Sequence, residues 1–374
     1  MTTWTLTDDV VTAINGRFGQ SYAGFYGDLA PAGLASGDTI ICGNDTIIAP
    51  DTTSPTEINF LQGDMGQGQM LGFNTGVTVI GGDDLIIGGS GIDSINGGGG
   101  DDTIDGGAGW DVIEYLEPFI SNSAGARVVV DLAMGQSWSD HYGNDTIMNV
   151  ENVVGSFGSD WIAGDADRNW LAGSDGDDVI HGRGGHDTIE GGRGNDALYG
   201  GDGDDIIADF LNGLASTATY GNNWMSGGNG NDTILAHGAR TGEWSALHGD
   251  AGNDTLSGSG DGSLGLYGGE GDDSIRFGRG ICYIEGGTGA DTFAPSSWAF
   301  TSRESFAQVF DFEDGIDKVN LAAIPGATAA NVDIRDWGAN TGILMTNDKG
   351  VTTTLMLMGV TADKISFADD FVLV

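Results

Sequence analysis

Basic residues are scarce in this chain: 13 Lys and Arg stand against 55 Asp and Glu, a formal net charge of −42 over 374 residues. So acidic a body repels phosphate backbones and anionic headgroups, which excludes nucleic acid and acidic membrane surfaces as partners. Cysteine is nearly absent. Cys42 and Cys282 lie in dissimilar contexts, so no disulfide framework is expected, and each reads as a small buried apolar residue. No apolar run reaches transmembrane length. The start, MTTWTLTDDVVTAING, has neither a cationic nor an apolar leader region, and the first basic residue is Arg17; a cleaved leader is not expected there. The five histidines (His141, His181, His186, His237, His248) form no H-E-x-x-H, and no serine sits in G-x-S-x-G. A zinc-protease site and a lipase elbow are therefore both missing.

What the chain has in excess is glycine, 68 residues, and it is periodic. From Gly173 to Ala208 the sequence can be written in nines, GSDGDDVIH GRGGHDTIE GGRGNDALY GGDGDDIIA. Aspartate fills the sixth column (Asp178, Asp187, Asp196, Asp205), and Ile180, Ile189, Leu198 and Ile207 fill the eighth. Glycine permits left-handed φ and close backbone approach in a tight turn. Turned carbonyls with a carboxylate make the all-oxygen shell that calcium prefers. The remaining three residues form a short strand with one side chain pointing inward. Two nines make one coil, so like loops stack eighteen residues apart, and no nine buries its aliphatic residue alone. Each bound calcium would cancel two charges, which accounts for the acidity.

The pattern G-G-x-G-x-D-x-U-x resembles the RTX calcium-binding nonapeptide repeat. The resemblance runs from about residue 79 to 374 and implies an all-β fold: a right-handed parallel β-roll holding several calcium ions, with strand-rich caps. It implies export in an unfolded state and folding outside on calcium, but no particular activity.

Residues 1–78 read as an N-terminal cap or docking segment, with one repeat-like piece, SGDTIICGNDTIIA, that contributes Asp45. The first repeat block, 79–116, supplies Asp84, Asp93, Asp102 and Asp111. A strand-rich insertion, 117–154, follows, ending in an N-x-E-N-V-x-G-S entry similar to those before RTX arrays. The main block, 155–294, supplies Asp160, Asp178, Asp187, Asp196, Asp205, Asp232, Asp254, Asp273 and Asp291 as calcium ligands. Asn169, Asn223 and Cys282 replace aspartate in their loops, where a weaker or absent site is expected. Residues 295–374 read as a cap of antiparallel strands. Their end, Asp369 to Val374, resembles an uncleaved type I secretion signal.

These features point to a non-enzymatic, extracellular or cell-surface protein that self-associates into a layer or filament. The alternative is a polysaccharide-binding or polysaccharide-modifying module using Trp110, Trp161, Trp170, Trp224 and Trp244. His181 and His186 read as surface residues.

Overall fold

The computed structural model describes residues 3–5, 10–12, 22–26, 39–41, 44–48, 58–62, 78–116, 127–139, 142–210, 221–239, 242–296, 305–322, 332–347 and 350–372. Cys42, His141 and the last two residues of the C-terminal acid–apolar segment lie outside them. The described residues are strands, turns and bends without a helix, so no helix is long and apolar enough to cross a membrane. The chain divides into two compact units, Met1–Val179 and Ile180–Val374.

In the first unit, strands pair in parallel with the residue-for-residue register that the nines demand. Ile86 lies opposite Ile104, and Ile104 opposite Ile147. These aliphatic residues are 0–4% exposed, and each contributes on the order of 1.5–3 kcal/mol by leaving water. The expected N-terminal cap also joins the parallel stack. Thr3–Thr5, Thr39–Ile41 and Thr78–Ile80 form a sheet of their own. Val10–Thr12 pairs with Thr46–Ile48, and Tyr22–Tyr26 with Ile58–Gln62. Coils there carry three strands where nonapeptide coils carry two.

The expected insertion is narrower than 117–154. Val128–Asp131 and Gln136–Ser139 form an antiparallel hairpin. Thr146–Met148, however, pairs in parallel with Thr103–Asp105, and Asn152–Val154 with Val112–Glu114. The stack therefore resumes ahead of residue 155.

The second unit has two parallel sheets. One runs through Ala197–Asp202, Trp224–Asn229, Trp244–Ala251, Ser263–Glu270, Ile281–Thr288 and Ser305–Val309. The other runs through Thr188–Arg193, Ile206–Ala208, Thr233–Ala239, Thr255–Gly260, Ser274–Phe277, Thr292–Pro295, Lys318–Asn320 and Phe371–Val372. The antiparallel cap expected for 295–374 is thus confined to the meander Val332–Asp336, Thr341–Thr346 and Thr352–Leu357. Elsewhere in that region the strands continue the parallel stack, and Thr352–Leu357 itself pairs in parallel with Ser305–Val309. Alternation of apolar residues marks a strand but not its direction, which is why the pattern misled.

Candidate metal centres

Each loop that keeps the full nine-residue pattern delivers one carboxylate, and the glycines decide where it goes. A Cβ placed on Gly227 would lie 2.1 Å from Asp232 Oδ2 and 2.8 Å from the Gly249 carbonyl oxygen of the next coil. At Gly249 the corresponding distances are 2.3 Å to Asp254 Oδ2 and 2.4 Å to the Gly268 oxygen; at Gly268 they are 2.2 Å to Asp273 Oδ2 and 2.2 Å to the Gly286 oxygen. First-column glycine is thus needed for room. Left-handed φ falls instead in the second and fourth columns, as at Gly228 (108°) and Gly230 (136°). Arg183, at φ 78°, holds a second-column place without being glycine. Since left-handed backbone costs an L-residue about 1–2 kcal/mol, Arg183→Gly is expected to raise stability by about 1 kcal/mol, read as a higher thermal midpoint in calcium.

All fourteen aspartates expected as ligands (Asp45, Asp84, Asp93, Asp102, Asp111, Asp160, Asp178, Asp187, Asp196, Asp205, Asp232, Asp254, Asp273, Asp291) are at most 3% exposed. Their Oδ1 atoms build a ladder. The main-chain N–H of Asp84 donates to Asp102 Oδ1 (2.9 Å) and that of Asp93 to Asp111 Oδ1 (2.8 Å). Asp45 N–H donates to Asp84 Oδ1 (2.7 Å) and Asp160 N–H to Asp178 Oδ1 (2.8 Å). In the second unit the rungs run Asp187 to Asp205, Asp205 to Asp232, Asp232 to Asp254, Asp254 to Asp273 and Asp273 to Asp291, at 2.7–2.9 Å. Asp196 N–H donates to Asn223 Oδ1 (2.9 Å).

The second oxygen is the chemically informative one. Oδ2 of Asp102, Asp111, Asp205, Asp232, Asp254 and Asp273 is buried and accepts no hydrogen bond. Burial, with neighbouring carboxylates adding to it, pushes these groups up: Asp102 to about 8, Asp111, Asp232 and Asp273 to about 7, Asp205 and Asp254 to about 6. A buried carboxylate oxygen beside a carbonyl oxygen of the adjacent coil is unfavourable as it stands and suits a hard cation. Among the described residues no three His, Cys, Asp or Glu side chains converge. A cation here would therefore be held by Oδ2 atoms of Asp205, Asp232, Asp254 or Asp273 together with carbonyls such as those of Gly227, Gly249, Gly268 and Gly286. The donor set fits calcium.

Other loops close on themselves. Asp160 Oδ2 accepts the Ser156 N–H (2.6 Å) and its Oδ1 the Ser156 hydroxyl (2.8 Å). Asn169 Oδ1 accepts the Asp165 N–H (2.9 Å) and its Nδ2 donates to the Glu151 carbonyl (2.9 Å). Three acids that sequence reasoning left out are buried in the same closed form, Asp145 and Asp317 as rungs of the ladder and Asp370 outside it. Asp145 receives Asp102 N–H at Oδ1 (3.2 Å) and the Ser137 hydroxyl at Oδ2 (2.6 Å). Asp317 receives Asp291 N–H (2.9 Å) and Glu313 N–H (2.8 Å). Asp370 receives Gly315 N–H (3.2 Å) and Ser366 N–H (2.7 Å). The signal for Asp145 was in the chain: GNDTI at 143–147 repeats GNDTI at 230–234.

The fifth column forms a second, exposed ladder of opposite polarity. Asn231 N–H donates to Asp204 Oδ1 (2.7 Å), Asn253 N–H to Asn231 Oδ1 (2.9 Å) and Asp272 N–H to Asn253 Oδ1 (2.7 Å). The main-chain hydrogen bond from Asn231 holds Asp204 below the usual carboxylate range, and that from Asn144 does the same for Asp101. The Asp-Asp and Asn-Asp pairs before each strand carried this signal.

The other singled-out residues are also placed. Cys282 is fully buried and its thiol is pushed up to about 12 by that burial. His186 is exposed, with Nδ1 accepting the Asp204 N–H (2.8 Å). His181 stacks on Tyr199 at 4.7 Å, half-buried rather than fully solvated. Trp161 and Trp170 are half-buried. Trp110, Trp224 and Trp244 are 39–43% exposed, yet the Arg168 guanidinium lies 5.5 Å over the Trp110 ring and His248 stacks on Trp224 at 4.2 Å.

A family model for the RTX calcium-binding nonapeptide repeat matches residues 80–113, 154–189, 181–208, 217–239, 246–262 and 266–281. No curated protein matches the chain. Among solved structures, the R3 subunit of a mannuronan C5-epimerase from Azotobacter vinelandii is 25% identical over 36% of this chain and 78% of its own, with TM-score 0.27. The R2 subunit is 25% identical over 38% of this chain and 88% of its own, TM-score 0.25. The extracellular lipase LipA from Serratia marcescens is 17% identical over 72% of this chain and 45% of its own, TM-score 0.21.

Proposed function

The chain carries RTX calcium-binding nonapeptide repeats in a parallel β-roll, and from that premise we propose a calcium-folded extracellular structural protein that assembles with copies of itself. The observation that carries the calcium part is the run of buried, donorless Oδ2 atoms in successive loops, at Asp205, Asp232, Asp254 and Asp273. Such a row asks for millimolar calcium, which is found outside the cell. Export by a type I route, with the C-terminal segment as its signal, completes the reading. In the folded protein Phe371–Val372 pairs with Val319–Asn320, so a signal there would be read before folding.

Self-association is supported by a difference between the sheets of the second unit. One shows Trp224, Trp244, Ile281 and Tyr283, each 41–45% exposed; the other shows a single such residue, Ile206 at 41%, in a row otherwise made of Thr188, Thr233, Thr255, Ser274 and Thr292. Exposed apolar patches on an otherwise charged body mark interaction surfaces. Ring stacking (Trp224 on His248, and His248 on Tyr267 at 4.6 Å) turns aromatic faces toward one another. Less ring area is then left for sugars, which favours a protein partner over a polysaccharide. In sedimentation velocity with millimolar calcium, species larger than the monomer are expected to grow with concentration. Tyr283→Glu is expected to abolish them and Thr255→Glu to leave them unchanged. A single monomeric species at every concentration rules out the assembly.

A further inference from the structure

We infer that in residues 180–374 calcium occupies one edge of the roll only, the other edge having been converted into hydrophobic core. The inference deepens the calcium reading above and rests on it.

The strand register sets the two edges side by side. On the first, every coil brings a buried aspartate, from Asp187 through Asp291 to Asp317. On the second, the residues that fall in register with Asp196 from coil to coil are Asn223, Ser245, Leu264, Cys282 and Ala307. These five are 0–3% exposed, so they sit as deep as the acids they replace. The row begins in the same style, with Asp196 N–H on Asn223 Oδ1 (2.9 Å) and Asn223 N–H on the Ser245 hydroxyl (3.1 Å). Charge is lost at the second step, and every side-chain oxygen by the fourth.

The space that a carboxylate would use is also taken. On the first edge a Cβ on Gly249 meets Asp254 Oδ2 at 2.3 Å; on the second, a Cβ on Gly258 meets Leu264 Cδ1 at 2.2 Å. The glycine cradle persists, but a methyl group fills it. A methyl, a buried thiol and an alanine offer a divalent cation nothing, whereas buried side by side they leave water at a gain. Two solutions to one packing problem therefore run in parallel: an acid row that needs cations, and an apolar row that needs none.

The test counts calcium on the full-length protein by isothermal titration. Asp254→Asn keeps the ladder acceptor and removes the charge; it is expected to bind about one ion fewer per chain and to fold at a higher calcium midpoint. Asn223→Ala removes the buried acceptor of the Asp196 N–H and so costs some stability, but it is expected to leave the calcium count at the wild-type value. Loss of calcium in Asn223→Ala, or a full count in Asp254→Asn, overturns the one-edge assignment. Should Asp254→Asn not fold, anomalous diffraction from terbium-loaded wild type decides: ions are expected along Asp205 to Asp291, and an ion beside Leu264 or Cys282 overturns the inference. A wild-type chain that binds no calcium at all is a different failure, that of the calcium reading itself.

Discussion

In excess chelator at neutral pH the chain is expected to lose most of its β-sheet circular dichroism and to regain it steeply as calcium approaches the millimolar range. Extracellular calcium modules bind with dissociation constants of about 10⁻⁴ to 10⁻³ M. At a few times that concentration each ion contributes about 1 kcal/mol, so several together match a domain's whole net stability of about 5–15 kcal/mol. Without them the loops must bury carboxylates such as Asp232 and Asp273 beside carbonyl oxygens, in a chain of charge −42. Magnesium is expected to restore little, since it demands a stricter octahedron. A chain that keeps its sheet signal and thermal midpoint in chelator would falsify the calcium dependence.

Acid should partly replace the ion. Because burial raises Asp102 to about 8 and Asp111, Asp232 and Asp273 to about 7, the calcium-free folded form binds protons more tightly than the unfolded chain. Its stability is then fully present below the ordinary carboxylate value and is lost as pH rises through 6 to 8. Lowering a chelated sample from pH 8 to pH 5 is therefore expected to return sheet signal, while calcium affinity falls over the same window because protons and calcium compete. Salt at about 1 M, which screens surface repulsion to about 3 Å but protonates nothing, should not do the same. Equal recovery in salt would point to bulk charge and away from these groups.

Gly203→Ala is expected to be the most damaging conservative change in the second unit, costing about 4 kcal/mol and lowering the thermal midpoint by roughly 10 °C in saturating calcium. Gly203 sits at φ 132°, a region essentially closed to other residues at a cost of about 1–3 kcal/mol. Its Cβ would lie 1.4 Å from the Gly185 carbonyl oxygen. That atom is main chain, so relief requires moving apart coils that pairing holds about 4.8 Å from each other. Gly315→Ala separates the two causes. Its φ is 81° and nothing lies within 4 Å of the added carbon, so it should cost about 1 kcal/mol, from backbone strain alone. Equal losses at the two positions would show that close stacking is not what Gly203 provides.

The sixth and eighth columns were readable because each is decided within nine residues: the turn fixes the aspartate and the pleat fixes Ile189 or Ile207. What escaped depends on neighbours far along the chain. Asp317 takes a ladder position, and Asp370 is buried just before the neighbouring strand, without glycine-rich loops, because main-chain N–H groups of Glu313 and Ser366 satisfy their outer oxygens. The three-strand coils near the N-terminus repeat at 36 to 39 residues (Thr3, Thr39, Thr78), and most of the chain between their strands does not repeat the glycine and aspartate columns of the nines. The hydrophobic edge was visible as gaps in the aspartate column, at Asn223 and Cys282, but only strand register shows that these gaps belong to one row, with Ser245 and Leu264 between them.

The rungs of the acid ladder are unevenly spaced along the chain. Successive acids from Asp187 to Asp317 lie 18, 27, 22, 19, 18 and 26 residues apart, yet every rung spans 2.7–2.9 Å. Position in the stack is thus set by local recognition between loops and is indifferent to how much chain is spent between them. A gene encoding such a protein can lengthen or shorten by slippage during replication, or take up foreign segments between coils, while each surviving loop still finds its neighbour.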